Sequence, residues 1–138
     1  MRVMGLDLGS KTVGVALSDP LKIVASPLKT ILFLEDDYRD ALEQVIELAL
    51  AYDVSKIIVG LPKHLSGEIG ERGEISLKFQ TWLAEALKIP VLSWDERLTT
   101  KQAQRILLEG DISRKKRKKV IDKMAAVIIL QSYLDTNN

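Results

Sequence analysis

The first part of the chain is a series of strand-length apolar runs cut by sharp polar breaks. Arg2 to Asp7 is one such run. Val13 to Ser18 resumes the pattern after the connection Gly9-Ser10-Lys11-Thr12, which has the look of a hairpin. Asp19-Pro20 ends that second run. Ile23 to Ile31 predicts a third strand, and Pro27 places it at a sheet edge or a bulge, because proline has no N–H to give to a central ladder. Three strands in succession imply an antiparallel meander.

The period then changes. Between Asp36 and Tyr52 the residues Ala41, Val45, Leu48, Ala49 and Tyr52 recur at three and four positions, which predicts an amphipathic helix with its acids outward. Lys56 to Gly60 is a short continuous apolar run, as expected of a strand covered on both faces. Leu61 to Gly73 is polar, holds three glycines and the only histidine, and reads as a mobile loop. Glu74 to Leu87 predicts a second helix that stops before Pro90, and Val91 to Asp95 a fifth strand. Thr99 with Gln102 three residues on is a capping-box pattern opening a third helix, which Gly110 ends. Val120 to Leu134 is a strongly apolar final helix. The order β-β-β-α-β-α-β-α-α implies an α/β fold: a mixed five-stranded sheet, meander first and βα units after, with helices on both faces. A length of 138 residues suits a single domain, residues 1–138, with one sizeable core.

Composition narrows the class. Apolar residues at 46% and charged residues at 28% argue against disorder. The absence of cysteine excludes a disulfide framework, thiolate chemistry and a cysteine-based zinc site. The N-terminus enters a strand pattern at once, without the parts of a signal peptide, and no apolar run nears the roughly 20 residues that span a bilayer. A cytoplasmic protein without a membrane partner is the expectation.

Net charge is only +1, but it is unevenly placed. Lys101 to Lys123 holds nine Lys and Arg against three acids, about +6, and the remaining residues sum to about −5. Arg114, Lys115, Lys116, Arg117, Lys118 and Lys119 form an unbroken basic run, whereas Glu35 to Asp53 is strongly acidic. Either the basic run meets a polyanion on one face or it is a solvated loop.

Three acids could carry chemistry. Asp7 interrupts an apolar strand at its C-terminal end, where a carboxylate is costly to bury unless it meets a cation or an open edge. Alternation groups it with Val3 and Gly5, and Gly5 leaves room beside it. A plain turn-capping role is the competing reading. Asp95 and Glu96 close the fifth strand, and if that strand runs parallel to the first, both deliver carboxylates to the same sheet edge. Glu96 is the preferred ligand and Asp95 the alternative. Asp122 heads a stripe with Ala125, Ala126, Ile129 and Tyr133, which turns it toward the core side; the alternative is a first-turn acid facing the helix dipole.

Three carboxylates converging from distant places suit a hard divalent ion, Mg²⁺ or Mn²⁺. Two such ions about 4 Å apart can activate water and stabilise a leaving oxygen in phosphodiester hydrolysis. Arg97, Lys119 and Lys123 beside the acids would draw in a polyanion. Ser10 and Lys11 lie in a turn resembling a phosphate cradle, though without Walker spacing, and are placed to touch a backbone phosphate. His64 reads as a surface-loop residue, and Trp82 and Trp94 as core residues rather than base-stacking platforms.

Four blocks of sequence together resemble the YqgF (RuvX) family, Holliday-junction-resolvase-like proteins linked to pre-16S rRNA processing. They are Gly5-Leu6-Asp7-Leu8-Gly9-Ser10-Lys11-Thr12-Val13-Gly14-Val15-Ala16, then Ile58-Val59-Gly60-Leu61-Pro62, then Trp94-Asp95-Glu96-Arg97-Leu98-Thr99-Thr100, and finally Asp122-Lys123-Met124-Ala125-Ala126 with Ile129-Leu130-Gln131. The resemblance covers essentially the whole chain. It implies a ribonuclease H-like fold, a cytoplasmic nuclease role in ribosome biogenesis, and a divalent-metal site on Asp7, Glu96 and Asp122. One stretch departs: where the family often has Asn-Met-Asp-Gly, this chain has His64-Leu65-Ser66-Gly67. The leading expectation is metal-dependent hydrolysis of structured RNA, with 5′-end maturation of 16S rRNA as the task. The alternatives are a homodimeric resolvase of four-way DNA and a non-catalytic RNA-binding module. An actin-like or sugar-kinase-like ATP site needs two such domains and a far longer chain.

Overall fold

The computed structural model describes residues 1–62, 69–95 and 114–137, with side chains in the last stretch from 124 to 136. Five strands form one sheet: β1 (Arg2–Leu8), β2 (Thr12–Ser18), β3 (Ala25–Leu32), β4 (Val54–Leu61) and β5 (Val91–Asp95), in the order β3-β2-β1-β4-β5. The β1–β2 and β2–β3 pairs are antiparallel, and β1–β4 and β4–β5 are parallel. The meander followed by βα units is therefore as the apolar pattern predicts. Pro27 occupies the edge strand, where its missing N–H costs nothing. It also adjoins a bulge: Val15 pairs with Lys29 and Ala16 with Pro27, so Leu28 is the extra residue.

Helices cover both faces. On one side α1 (Tyr38–Ala51) and α2 (Glu71–Leu87) bury Ala41, Val45, Phe79 and Leu83 against Met4, Leu6, Val13, Val15, Ile57 and Val59. On the other, α3 (Arg114–Asn137) lays Ala126, Ile129, Leu130 and Tyr133 on Val3, Ala16 and Ile58. Alternating strand positions thus feed two separate cores, which is why β1 and β4 read as unbroken apolar runs. Asp37 caps α1, its carboxylate accepting from the Asp40 N–H at 3.3 Å. Lys88 closes α2 in the left-handed conformation, φ 56°, with its N–H on the Ala84 carbonyl.

Several boundaries differ from the sequence expectation. The second helix starts at Glu71 rather than Glu74, so Gly73 is helical and buried. A Cβ there would lie 2.5 Å from Ile69 Cγ2 and 2.9 Å from the Pro62 carbonyl oxygen, so only glycine lets this turn sit against the end of β4. The last helix starts at Arg114 rather than Val120. The basic run is therefore helical, not a loop, and Asp122 lies in the third turn, which removes the first-turn dipole reading for it. Trp82 is 42% exposed, because Phe79 and Leu83 fill the core on that helix. Trp94 packs half-buried against the α3 core. The expected helix from Thr99 to Gly110, and His64, lie outside the described residues. Among the described residues no helix is long and apolar enough to cross a membrane.

Candidate active site

Asp7 lies one residue from the end of β1, the middle strand, and pairs with Gly14 of β2. Alternation puts it with Val3 and Gly5 on the α3 face. The space beside Gly5 is filled by that helix: a Cβ on Gly5 would lie 2.7 Å from Leu130 Cβ and 2.9 Å from the Ala126 carbonyl oxygen. One rung on, a Cβ on Gly14 would stand 3.6 Å from Ala126 Cβ and 3.7 Å from Asp7 Cβ. Asp7, Gly14 and Ala126 therefore meet around one spot, and the carboxylate is half-buried rather than fully immersed.

The same contacts give the direction of α3. Leu130 sits at the level of Gly5 and Ala126 at the level of the Asp7–Gly14 pair, so each earlier turn lies farther past the C-terminal end of β1. The backbone of Asp122, four residues before Ala126, is about 6 Å farther along that axis, and residues 114–119 extend about 10–18 Å beyond Ala126. The side chains of Arg114, Lys115, Lys116, Arg117, Lys118, Lys119, Asp122 and Lys123 are outside the described set, as are Glu96 and Arg97 entirely. Among the described residues no three acids or histidines cluster as a metal site.

Asp95 ends β5 opposite Leu61. Its neighbour Trp94 faces α3, edge-on to Tyr133 with ring centres 5.8 Å apart and its indole N–H donating to Ser132 Oγ. Ser93 faces the other way and donates to Gln80 of α2 at 2.7 Å. Alternation then puts Asp95 on the α2 face, opposite Asp7.

The turn between β1 and β2 is tied into the meander. The Gly9 N–H donates to the Thr12 carbonyl at 2.7 Å, and the carbonyls of Ser10 and Lys11 accept from Asp36 and Phe33, each at 2.9 Å. With the Gly9 N–H engaged, a backbone cradle is the weaker use of this turn. The exposed Lys11 side chain remains available.

One cation at this edge escaped the sequence reading. Arg72 Nη2 lies 3.8 Å from where a Cβ on Gly9 would be. Its place in a stretch read as loop hid it, and the flanking Glu71 and Glu74 gave no signal of a basic site. Leu8, Gly9, Tyr38, Arg72 and Ile75 line a crevice too tight to hold a water molecule. Burial raises the Tyr38 phenol above its ordinary pKa, helped by its hydrogen bond to Asp36 and opposed by the Arg72 charge.

A family profile described as "RuvX: Holliday junction resolvase" matches residues 1–136. The chain belongs to the RuvX family. A relative from Listeria monocytogenes, provisionally named a pre-16S rRNA nuclease, is 55% identical over 138 residues, all of both chains. The structure of Thermus thermophilus RuvC in complex with Holliday junction substrate overlays 99% of this chain and 95% of its own with a TM-score of 0.67 at 16% identity. The yeast mitochondrial Holliday junction resolvase overlays 96% of this chain and 77% of its own with a TM-score of 0.58 at 15% identity. The fold is ribonuclease H-like, and as a member of a nuclease family the RuvX chain is a hydrolase acting on nucleic acid.

Proposed function

We propose that this RuvX protein is a divalent-metal-dependent nuclease that trims the 5′ end of pre-16S rRNA in the cytoplasm, with residues 1–138 acting as one nuclease domain. The observation that carries this reading is the half-buried Asp7 at the end of the middle strand, with the last helix led past it through Gly5, Gly14 and Ala126. The name of the Listeria relative supports RNA as substrate.

Asp7, Glu96 and Asp122 would hold Mg²⁺ or Mn²⁺, and carboxylate oxygens are the donors such ions prefer. The one described side chain of the three fits, since Asp7 pairs with Gly14, which places no side chain beside it. Glu96 is favoured over Asp95 because Asp95 shares the α2 face, so the following residue is the first that alternation could return to Asp7. When bound, the metal would supply charge neutralisation and an activated water for phosphodiester hydrolysis. Ser10, Lys11 and Arg97, with Arg114 to Lys119 and Lys123, would hold the phosphate backbone. Presented on a helix past the Asp7 end of β1, the basic run would guide a duplex across the sheet edge.

The test is cleavage of labelled pre-16S RNA and of a four-way DNA junction side by side, with and without Mg²⁺. RNA cut at its 5′ end only with metal, and lost in Asp7→Asn, is the expected result. Intact cleavage by Asp7→Asn would overturn the mechanism. The second reading, resolution of four-way DNA by a homodimer, is favoured by the family description. It requires a dimer in sedimentation and symmetric cutting of the junction.

A further inference from the structure

We propose that Arg72 grips a phosphate of the substrate strand beside the Asp7 end of β1, on the side of the sheet opposite the last helix; the proposal rests on the nuclease reading above. Four observations support it. The guanidinium lies beside Gly9, two residues after Asp7, with Nη2 3.8 Å from where a Cβ would be. Gly9 puts no side chain between the guanidinium and the turn. Arg72 is exposed and makes no ion pair among the described residues, although Glu71 and Glu74 flank it in sequence. Its helix is held still at that point: Gly73 abuts Pro62 and Ile69, and Ser76 donates to the Gly60 carbonyl at 3.2 Å.

A planar guanidinium on a rigid element suits a phosphate, which it can hold by two parallel hydrogen bonds. Asp7 faces α3 while Arg72 reaches the same sheet edge from α2. A strand held by both crosses that edge from one face to the other, with the basic start of α3 on its far side. The competing role for Arg72 is local, as a counter-charge to the Tyr38–Asp36 pair.

The test uses the full chain. Binding of a fluorescein-labelled hairpin RNA is measured by anisotropy in Mg²⁺ over a series of KCl concentrations, with Arg72→Ala and Arg72→Lys placed in an Asp7→Asn background. One lost phosphate contact should flatten the slope of log affinity against log salt by about 0.7–0.9 and weaken low-salt binding roughly tenfold. Arg72→Lys should keep the slope and recover part of the affinity, since a point charge replaces the fork. In the otherwise native enzyme, Arg72→Ala should raise KM and leave kcat within about threefold. An unchanged salt slope overturns the proposal, whether or not thermal stability falls, since a local structural role would alter stability alone. Salt-dependent binding by a wild-type protein that never cleaves would sink the nuclease reading while leaving Arg72 to be judged on its slope. No binding to RNA at all would remove both.

Discussion

Gly5 and Leu130 touch backbone to side chain: with a Cβ on Gly5 the two Cβ atoms would be only 2.7 Å apart. The second near atom, the Ala126 carbonyl oxygen at 2.9 Å, is backbone and cannot rotate away. Gly5→Ala must therefore push α3 off the sheet. A loss of about 1–3 kcal/mol is expected in urea unfolding, the range for overpacked cores. Because Ala126 also adjoins Asp7 through Gly14, the same variant should lose catalytic activity beyond what its stability explains.

Ser18 replaces a ladder bond with a side chain. Its buried hydroxyl accepts from the Val3 N–H at 2.9 Å and donates to the Asp19 carbonyl. Ser18→Ala leaves the Val3 N–H buried without that partner, so a loss of about 1–3 kcal/mol is expected in chemical denaturation. Ser18→Thr should cost less if the hydroxyl keeps its place.

Gln131 fastens the last helix to the edge of the meander. Its amide oxygen accepts from the Ala25 N–H at 2.8 Å and its amide nitrogen donates to the Ile23 carbonyl at 2.9 Å. Gln131→Ala should cost about 1 kcal/mol. Hydrogen exchange at the Ala25 amide should quicken, while amides of β1 and β4 hold their protection.

Asp19 makes the β2–β3 turn acid-sensitive. The Val24 N–H, then the Ile23 N–H, hold its carboxylate below the ordinary 3.8, with hydrogen bonds of 2.8 and 2.7 Å. A depressed carboxyl contributes its stabilisation above 3.8 and loses it as pH falls through the lower folded value. In an acid titration followed by NMR, the Ile23 and Val24 amide shifts should move together with a midpoint below 3.8. Asp19→Asn should abolish that transition.

Metal should reveal itself without any substrate. If Asp7, Glu96 and Asp122 hold Mn²⁺, the melting temperature rises with Mn²⁺ by mass action, about 2.7 kcal/mol at 100 times Kd. Asp7→Asn and Asp122→Asn should each flatten that rise, and Asp95→Asn should not, given its place on the other face.

The fold was largely legible because each strand has its own apolar signature. Val91–Asp95 is β5 to the residue, and Pro27 marked both the edge and the bulge. The start of α3 was missed because Lys and Arg favour helix without adding apolar periodicity to the run. The start of α2 was missed because Gly70 and Gly73 look like loop residues, whereas Gly73 is there for close approach to Pro62. At the site, Asp7 and its face could be read from alternation alone. Which face Asp95 takes needed the β4–β5 register, and Arg72 needed the third dimension, since nothing in local sequence ties it to Gly9.

The meeting of Gly5 with Leu130 also bears on when the enzyme can exist during its own synthesis. The two partners lie 125 positions apart, so one is made long before the other. Domains fold as their segments emerge from the ribosome, and this contact must wait for the final helix. A nascent chain therefore carries Asp7 on a strand face without its covering helix until α3 has been made. The face of the sheet that carries Asp7 is thereby completed only once Ala126 and Leu130 are clear of the ribosome.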